Sequence, residues 1–300
     1  MMHRKINKFI ILMVVLTLLF SCKKEVYTTN DIPNDKNIVI LFTGSTRGKP
    51  NGTIFYNDIM QYKKDLKKEN YVILVDAGDF LSENQDEAMI KENIANMKSV
   101  EYDFCTIGEN EFNYGIDNII QMNKQLKNKI FCMNFYYMNK SDSVLLPYKV
   151  FNLGNKRLAL IGVSSPEILF NNKKVFRDEN NEQIYTMLED NAGIKLCSAL
   201  QDMIYDLKEK GINYIVLVSH LGDKHFSKTF DYTTIVGSTN GIDAIIDGHS
   251  KENLLKYLTN NEGKEVLLAQ VEPELASIGS ITIKKNSVFS AECKDNISSH

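Results

Sequence analysis

Five short clusters of polar residues and glycines carry the side chains that are best suited to chemistry. They contain aspartate, glutamate and histidine, which are common protein ligands of zinc, manganese and iron. The clusters are GSTRG (44–48), DAGD (76–79), GENEFNYG (108–115), SHLGD (219–223) and DGHSK (247–251). A single aspartate after a strand is often a turn residue, and a single histidine is more often structural than a ligand. Five clusters in this order instead favour one shared site.

The clusters follow apolar runs that are typical of β-strands. In the first half of the chain, the pattern predicts strands at 38–42, 71–75, 104–107 and 129–132, with helices near 57–69, 85–98 and 116–127. Alternating strands and helices predict right-handed crossovers and a largely parallel sheet. Ligand sites of such sheets lie at the carboxyl ends of the strands, so we expect the clusters to meet there.

The second half of the chain predicts further strands and a long helix. The segment VFNLGNKRLALIGV (150–163) is typical of a hairpin that turns at Gly154 and Asn155. A helix is predicted near 185–210, followed by strands at 214–219, 244–247, 265–271 and 278–283. The last two strands have the pattern of a meander. Together the elements predict an α/β fold in which two mixed sheets pack as a sandwich with helices outside, in a single domain.

Composition limits the class of protein. The chain has 300 residues, 43% hydrophobic residues and a formal net charge of -3. This length supplies enough apolar material for one large domain or two small ones. The nearly balanced charge gives no reason to expect a nucleic-acid polymer as a partner.

The first residues of the chain predict export. A basic segment, MMHRKINK, precedes twelve apolar residues, FIILMVVLTLLF, fewer than the roughly 20 that span a membrane. The run ends in Ser21 and Cys22, which resembles a bacterial lipoprotein signal peptide. This predicts removal of residues 1–21, lipidation of Cys22, a polar tether at 22–37 and a folded domain at 38–300. The protein would be anchored to a bacterial membrane on its periplasmic or cell-surface side. A plain signal anchor is the alternative, because Phe20 is bulky for a lipoprotein signal.

The clusters, in order, resemble a known family. VDAGDF, NEFNYG, VSHLG and IDGHS are similar to motifs of the N-terminal domain of 5′-nucleotidases, within the calcineurin-like metallophosphoesterases. The resemblance extends from about Ile38 to the last predicted strand. It implies a four-layer α/β/β/α fold with two divalent metals between the sheets, which activate a water that attacks phosphorus. We expect the chain to lack the family's C-terminal domain, which supplies the aromatic clamp for the nucleobase.

Part of the family's metal site is retained at matching positions. Asp79 matches the carboxylate that bridges the two metals, and His220 and His249 match ligands of the second metal. Glu109 replaces an asparagine ligand of that second metal and can itself serve as an oxygen ligand. The resemblance therefore implies one divalent ion, zinc, manganese or iron, held by these four side chains.

The remaining site positions are replaced. Ser45, Arg47 and Lys251 stand where the family has the other ligands of the first metal, so a second ion is not expected. We expect Arg47 and Lys251 to supply positive charge there, by pairing with Asp79 or with a phosphate. Asn110 stands at the position of the catalytic histidine and has no proton to transfer.

These replacements lead to competing hypotheses about function. The first is a tethered lipoprotein, catalytically impaired, that binds a phosphate-containing small molecule or a protein partner. The alternative is an active one-metal hydrolase of phosphate esters or nucleotides, with weak activity. A purely structural surface protein is a third class, for which neither metal nor nucleotide would change the melting temperature.

Several other residues are assigned structural or surface roles. Cys105, Cys132 and Cys197 lie in apolar segments and are predicted to be buried thiols, while a disulfide is left open. Asn134 is predicted to be structural. His225 and His300 are predicted to lie on the surface.

Overall fold

The computed structural model describes residues 36–48, 53–140, 142–171, 173–249 and 252–297. These residues belong to one compact unit. The predicted signal peptide (1–21), Cys22, nearly all of the tether, Lys251 and His300 lie outside the described residues. Within the described part of the chain, every helix is too short or too polar to cross a membrane.

The first sheet has five strands in the order β13-β12-β1-β2-β3. Its strands are β1 (Asn37–Thr43), β2 (Asn70–Asp76), β3 (Phe104–Cys105), β12 (Ile278–Ile283) and β13 (Phe289–Lys294). β1, β2 and β3 are parallel, with Ile40 opposite Ile73, whereas β12 runs antiparallel to β1. The carboxyl ends of β1 and β2 therefore lie side by side.

The second sheet has six strands in the order β10-β11-β9-β8-β6-β5. Its strands are β5 (Tyr148–Leu153), β6 (Lys156–Ser164), β8 (Tyr214–His220), β9 (Ala244–Asp247), β10 (Leu254–Thr259) and β11 (Glu265–Gln270). The four central strands are parallel, and the edge strands β5 and β10 are antiparallel to their neighbours. A separate ribbon joins β4 (Tyr136–Tyr137) to β7 (Tyr185–Thr186).

Helices cover the outer faces of both sheets. They are α1 (Tyr56–Leu66), α2 (Glu87–Val100), α3 (Glu109–Phe112), α4 (Ile116–Gln125), α5 (Glu167–Asn171), α6 (Ile194–Glu209) and α7 (Tyr232–Ser238), with a 3₁₀ turn at Lys173–Phe176. Capping side chains determine where some of these helices begin. Asp86, for example, caps α2 by accepting a hydrogen bond from the backbone nitrogen of Met89 at 2.8 Å.

The hydrophobic cores show four layers. Along β1, Ile40 and Phe42 enter a core between the two sheets, while Leu41 enters a core shared with α1, α2 and α4. Along β8, Val216 faces the central core and Leu217 faces a third core with α6 and α7. Since alternate residues of a strand point to opposite faces, each sheet lies between the other sheet and a layer of helices. The predicted α/β/β/α fold is confirmed.

Some predicted elements differ from the structure. The predicted meander is wrong, because β11 pairs with β9 and β10 in the second sheet whereas β12 pairs with β1 in the first. The segment 129–132 forms only isolated bridges, such as Cys105 with Ile130. The long helix begins at Ile194, since residues before it form β7 and a turn held by the carboxylate of Asp190. Cys197 is only partly buried.

Candidate metal centre

Loops at the carboxyl ends of β1, β2 and β9 touch through their backbones. The amide nitrogens of Ser45 and Arg47 donate to the carbonyl oxygens of Gly78 and Asp79, at 2.8 and 3.1 Å. A Cβ added at Gly248 would collide with the carbonyl group of Ala77. Glycine at position 248 is therefore what allows the loop after β9 to approach the loop after β2.

Four predicted metal ligands come together where these loops meet. Glu109, His220 and His249 each offer one ligand atom, and these atoms lie within 4.8 Å of one another. Asp79 is adjacent, with its Oδ2 3.4 Å from Nε2 of His220. The group combines two imidazoles with two carboxylates, a donor set that suits zinc, manganese or iron.

His220 is held in one orientation by the backbone. The side chain is buried, and Nδ1 donates to the carbonyl oxygen of Ala77 at 2.9 Å. This bond leaves Nε2 facing Asp79 and, at 3.3 Å, Nδ1 of His249. A backbone acceptor on one ring nitrogen is the usual way in which a protein orients a histidine ligand.

The charges of these side chains are strongly linked. Burial alone would lower the pKa of His220, but the carboxylate of Asp79 outweighs it and raises that pKa to about 10. Burial likewise acts to raise the pKa of Asp79, and His220 outweighs it, so this pKa lies below its ordinary value. Burial and the positive charge of His220 lower the pKa of His249 to about 4. His220 and Asp79 therefore form a buried ion pair, beside a neutral His249.

Glu109 supplies the clearest test of whether a cation fits. It is the first residue of α3, and its Oε1 lies 3.8 Å from Nδ1 of His249. Its other oxygen, Oε2, is buried and has no hydrogen-bond partner within the described structure. Burial raises the pKa of this carboxyl group. An unpaired buried carboxylate oxygen is unfavourable, and a cation bound there would remove that cost, so the residues present fit a divalent metal.

Glu111 supports the site in a way that the sequence reasoning missed. Its buried carboxylate accepts hydrogen bonds from the backbone nitrogens of Asp79, Leu81 and Gly108, at 3.0, 2.9 and 2.8 Å. It thereby fixes the loop that carries Asp79 against the start of α3, which carries Glu109. Its position three residues after Gly108, at the beginning of a helix, was the available signal, because this spacing is typical of a capping glutamate.

Asp247 is a second supporting residue that the sequence reasoning missed. The side chain is buried at the end of β9. Its oxygens accept hydrogen bonds from the hydroxyl of Ser219, the backbone nitrogens of Leu221, Gly222 and His249, and the amide of Gln270. This carboxylate joins the loop after β8 to the loop after β9. It therefore sets the spacing of the two histidine ligands.

The side chains at two of the replaced positions, Ser45 and Arg47, contact other parts of the protein. The hydroxyl of Ser45 donates to the carbonyl oxygen of Gly248 at 2.9 Å. Among the described residues Arg47 does not pair with Asp79 as we expected; its Nη1 lies 3.5 Å from Oε1 of Glu274. Its Nε is buried without a hydrogen-bond partner in that same part of the chain. Lys251 lies outside the described residues.

The side chain of Asn110 is directed into the protein interior. Its side-chain amide donates to the carbonyl oxygen of Leu81 at 3.0 Å, and its backbone nitrogen donates to Oδ1 of Asp79 at 2.9 Å. The residue is buried. At the position of the family's catalytic histidine, the side chain thus holds the loop at 79–81.

An open cleft of about 490 Å³ is lined by three of the four predicted metal ligands, Asp79, Glu109 and His249. Its wall includes Arg47, Phe226 and Tyr232. The ring of Phe226 packs on that of His249, with ring centroids 3.9 Å apart. His225 is at the rim and its side chain is 96% exposed. Asn134 does not line this cleft, and its amide group holds the backbone of Ser164 and Met187.

Comparison with known proteins agrees with this arrangement. The profile of the calcineurin-like phosphoesterase family matches residues 29–253. The chain belongs to this family. Membership implies divalent-metal binding, and Glu109, His220 and His249 form a candidate ligand triad.

Relatives of this chain include 5′-nucleotidases. The human 5′-nucleotidase is 26% identical over 212 residues, which are 67% of this chain and 32% of that protein. The snake venom 5′-nucleotidase of Crotalus adamanteus is 25% identical over 250 residues, which are 78% of this chain and 38% of that protein. The chain thus spans about a third of the length of these curated relatives.

Solved structures show the same fold. A 5′-nucleotidase precursor from Thermus thermophilus matches with a TM-score of 0.67 and 19% identity, over 86% of this chain and 54% of the other. A calcineurin-like phosphoesterase from Bacillus subtilis matches with a TM-score of 0.65 and 19% identity, over 86% of this chain and 90% of the other. At this identity the likeness concerns the fold of the chain alone.

Proposed function

We propose that this domain holds one divalent metal ion and binds a phosphate-containing small molecule beside it, with little or no hydrolysis. The metal ligands would be Asp79, Glu109, His220 and His249. The observation that carries the proposal is a difference between two sets of side chains in one cleft, the retained metal ligands and the residue that replaces a ligand of the first metal. These four side chains converge, while the hydroxyl of Ser45 is bonded to the backbone of Gly248.

Arg47 is the proposed second contact for phosphate. Its Nε is a buried donor without a partner among the described residues, at the wall of the cleft. The guanidinium lies close enough to Glu109 to act on the charge of that carboxylate. An arginine donor matches the geometry of a phosphate oxygen and adds a charge-assisted hydrogen bond. A bound metal would supply positive charge to another phosphate oxygen.

The asparagine at position 110 explains why hydrolysis should be weak. A positioned general acid or base typically contributes about 10²–10⁴-fold to a rate. Asn110 has no titratable proton, and its amide is bonded to the backbone of Leu81. Among the described residues of the cleft wall, the histidines are His249, which is a proposed metal ligand, and His225, which is exposed at the rim. Neither takes the place of a histidine at position 110.

Membrane anchoring is the second part of the proposal. The sequence of residues 1–22 supports export and lipidation at Cys22, with residues 22–37 as a tether and 38–300 as the folded domain. Mass spectrometry of the protein from a bacterial membrane fraction tests this. A mature chain that begins at a lipid-modified Cys22 supports it, and an unmodified Cys22 or an intact residue 1 contradicts it.

A second candidate function is a weak one-metal hydrolase of phosphate esters. Glu109 favours it, because the replacement has kept an oxygen ligand in reach of both histidines. Turnover of p-nitrophenyl phosphate with added zinc or manganese distinguishes the hydrolase from the binding function. Turnover by the wild type that Asp79→Ala abolishes would establish the hydrolase, and equal background rates in both proteins would support a binding function.

Calorimetry with inorganic phosphate tests the binding function directly. Arg47→Gln should weaken phosphate binding to the metal-loaded protein about tenfold, from the loss of a charge-assisted hydrogen bond worth about 1.5 kcal/mol. Arg177→Gln is the matched control, because Arg177 is bonded to the carbonyl of Asn181 and lies outside the cleft wall. Phosphate that binds neither the wild type nor the variants would contradict the proposed function.

A further inference from the structure

A second cavity has a basic wall. Its volume is about 140 Å³. The lysines of the wall are Lys36, Lys156, Lys284 and Lys285. Its apolar and aromatic surface comes from Ile38, Tyr71, Leu153, Tyr214 and Ile283. The described residues that line it include these four lysines and no carboxylate.

This basic cavity and the metal cleft lie at opposite ends of the strands. Lys36 precedes β1, Lys156 begins β6, and Lys284 follows β12, which is antiparallel to β1. All three positions are at the amino ends of β1 and β6. The metal ligands follow the carboxyl ends of parallel strands. β1 has seven residues, so the two ends are separated by about 20 Å.

The two ends also differ in charge. The wall of the metal cleft contains the carboxylates of Asp79, Glu109, Asp223 and Glu252. At the other end, the side chains of Lys284 and Lys285 are exposed. Lys156 is partly buried, with its Nζ 5.9 Å from the ring centroid of Tyr214. The walls of the two cavities therefore differ in charge, and we call the end of the domain that carries the four lysines the basic end.

The chain enters the domain at the basic end. Since β1 begins at Asn37, the segment that starts at Cys22 joins the fold beside Lys36. Fully extended, this segment reaches at most roughly 50 Å, and as a relaxed coil it spans about 20 Å. If Cys22 carries a lipid, the basic end is the part of the domain that is tethered close to the membrane.

We propose that the basic end, defined by Lys36, Lys156, Lys284 and Lys285, docks on the headgroups of anionic phospholipids and turns the metal cleft away from the membrane. The orientation rests on the lipid anchor of the proposed function, whereas the docking itself depends only on the lysines. Each lysine near an anionic membrane surface strengthens binding about fivefold. The attraction falls off within a Debye length, about 8–10 Å at physiological ionic strength, so it weakens as salt is added.

Vesicle binding by an unlipidated chain tests the docking. All three hydrophobic cores lie within residues 38–297, so a chain of residues 22–300 with Cys22→Ser contains every core contact. It is mixed, in EDTA, with vesicles of phosphatidylcholine alone or with added phosphatidylglycerol. Binding should require phosphatidylglycerol and decrease with sodium chloride. Because neither lipid on residue 22 nor a metal is present, failure of this test is distinct from failure of the proposed function.

Paired lysine variants locate the surface. Lys284→Gln with Lys285→Gln should weaken binding about 25-fold, from two lysines at about fivefold each. Lys173→Gln with Lys174→Gln is the matched control, since these exposed neighbours follow the carboxyl end of β6. Melting temperatures should be equal for all three proteins.

Three results would overturn the docking proposal. The first is equal binding to both kinds of vesicle, and the second is an equal loss in the control pair. The third is complete displacement by millimolar inorganic phosphate at constant ionic strength, which would show a site for a free anion instead of a membrane surface.

Discussion

Asp247→Asn removes one oxygen from the carboxylate that joins the loops after β8 and β9, and we expect it to reduce both stability and metal affinity. In the structure, Oδ2 accepts from the hydroxyl of Ser219 at 2.7 Å and from the nitrogen of Leu221 at 2.8 Å. Oδ1 accepts from the nitrogen of His249 and the amide of Gln270, both at 3.1 Å. All of these partners are donors, so an amide group cannot satisfy them all.

The magnitude follows from the best arrangement that asparagine can adopt. If its NH₂ replaces Oδ2, the Ser219 hydroxyl can rotate to accept, but the Leu221 N–H faces another donor. If its NH₂ replaces Oδ1, the Gln270 amide can flip, but the His249 N–H loses its acceptor. One unpaired buried N–H and the loss of charge on the remaining bonds together amount to about 2–4 kcal/mol. At about 2–4 °C per kcal/mol for a domain of this size, Tm should fall by roughly 5–15 °C.

Asp231→Asn is the matched control. Asp231 is also buried, and one of its oxygens accepts from the nitrogens of Thr233 and Thr234 at the start of α7. Within the described chain, its other oxygen accepts only from the hydroxyl of Thr234, which can reverse its role. Asparagine caps helices about as well as aspartate, so the expected loss is under about 1 kcal/mol.

Thermal unfolding in EDTA and zinc titration by calorimetry measure the two effects. Asp247→Asn should also weaken zinc binding about 10- to 100-fold, as is usual when a group that orients a metal ligand is lost. Asp231→Asn should leave zinc affinity unchanged. Equal Tm values for the two variants, or unchanged zinc affinity in Asp247→Asn, would refute the view that this carboxylate positions His249.

Further predictions concern pH and backbone approach. Burial raises the pKa of Asp76 from its ordinary value of about 4 to about 7, so folding takes up a proton between these pH values. The free energy of unfolding should therefore fall as pH rises through that window, by roughly 4 kcal/mol at most. In EDTA, Asp76→Asn should reduce the decrease of Tm with pH in this range. An unchanged decrease would contradict the attribution of this pH dependence to Asp76. Gly248→Ala should lower Tm and abolish metal binding, since the added Cβ meets the backbone of Ala77. Gly237→Ala, in open space on α7, should be neutral or stabilise by up to about 1 kcal/mol, and equal effects of the two alanines would refute the close-approach argument.

The layers of the fold, and the strand ends at which the clusters lie, could be predicted from local sequence pattern. Apolar runs that alternate with helices predict parallel strands, and the clusters follow the carboxyl ends of those strands. His220 and His249 lie at the carboxyl ends of β8 and β9, and parallel pairing brings them to one edge of the second sheet. Asp79 follows β2 in the first sheet, so its approach to His220 depends on the packing of the two sheets. That contact was expected from the resemblance to the family and not from local pattern.

What could not be predicted depends on contacts between distant parts of the chain. Arg47 pairs with Glu274, which lies in the connection between β11 and β12. The sequence pattern joined those two strands as a meander, and no local feature indicates that they belong to different sheets. Similarly, the turn of Asn110 toward Leu81 depends on how α3 packs against the loop after β2.

The number of metal ions per chain tests the central claim most directly. Protein purified in the presence of zinc or manganese, then freed of loosely bound ions, is analysed by inductively coupled plasma mass spectrometry. We predict one ion per chain in the wild type and in His225→Ala, whose exposed ring lies at the rim of the cleft, and its loss in His249→Ala. Two ions per chain, or none in the wild type, would contradict the account.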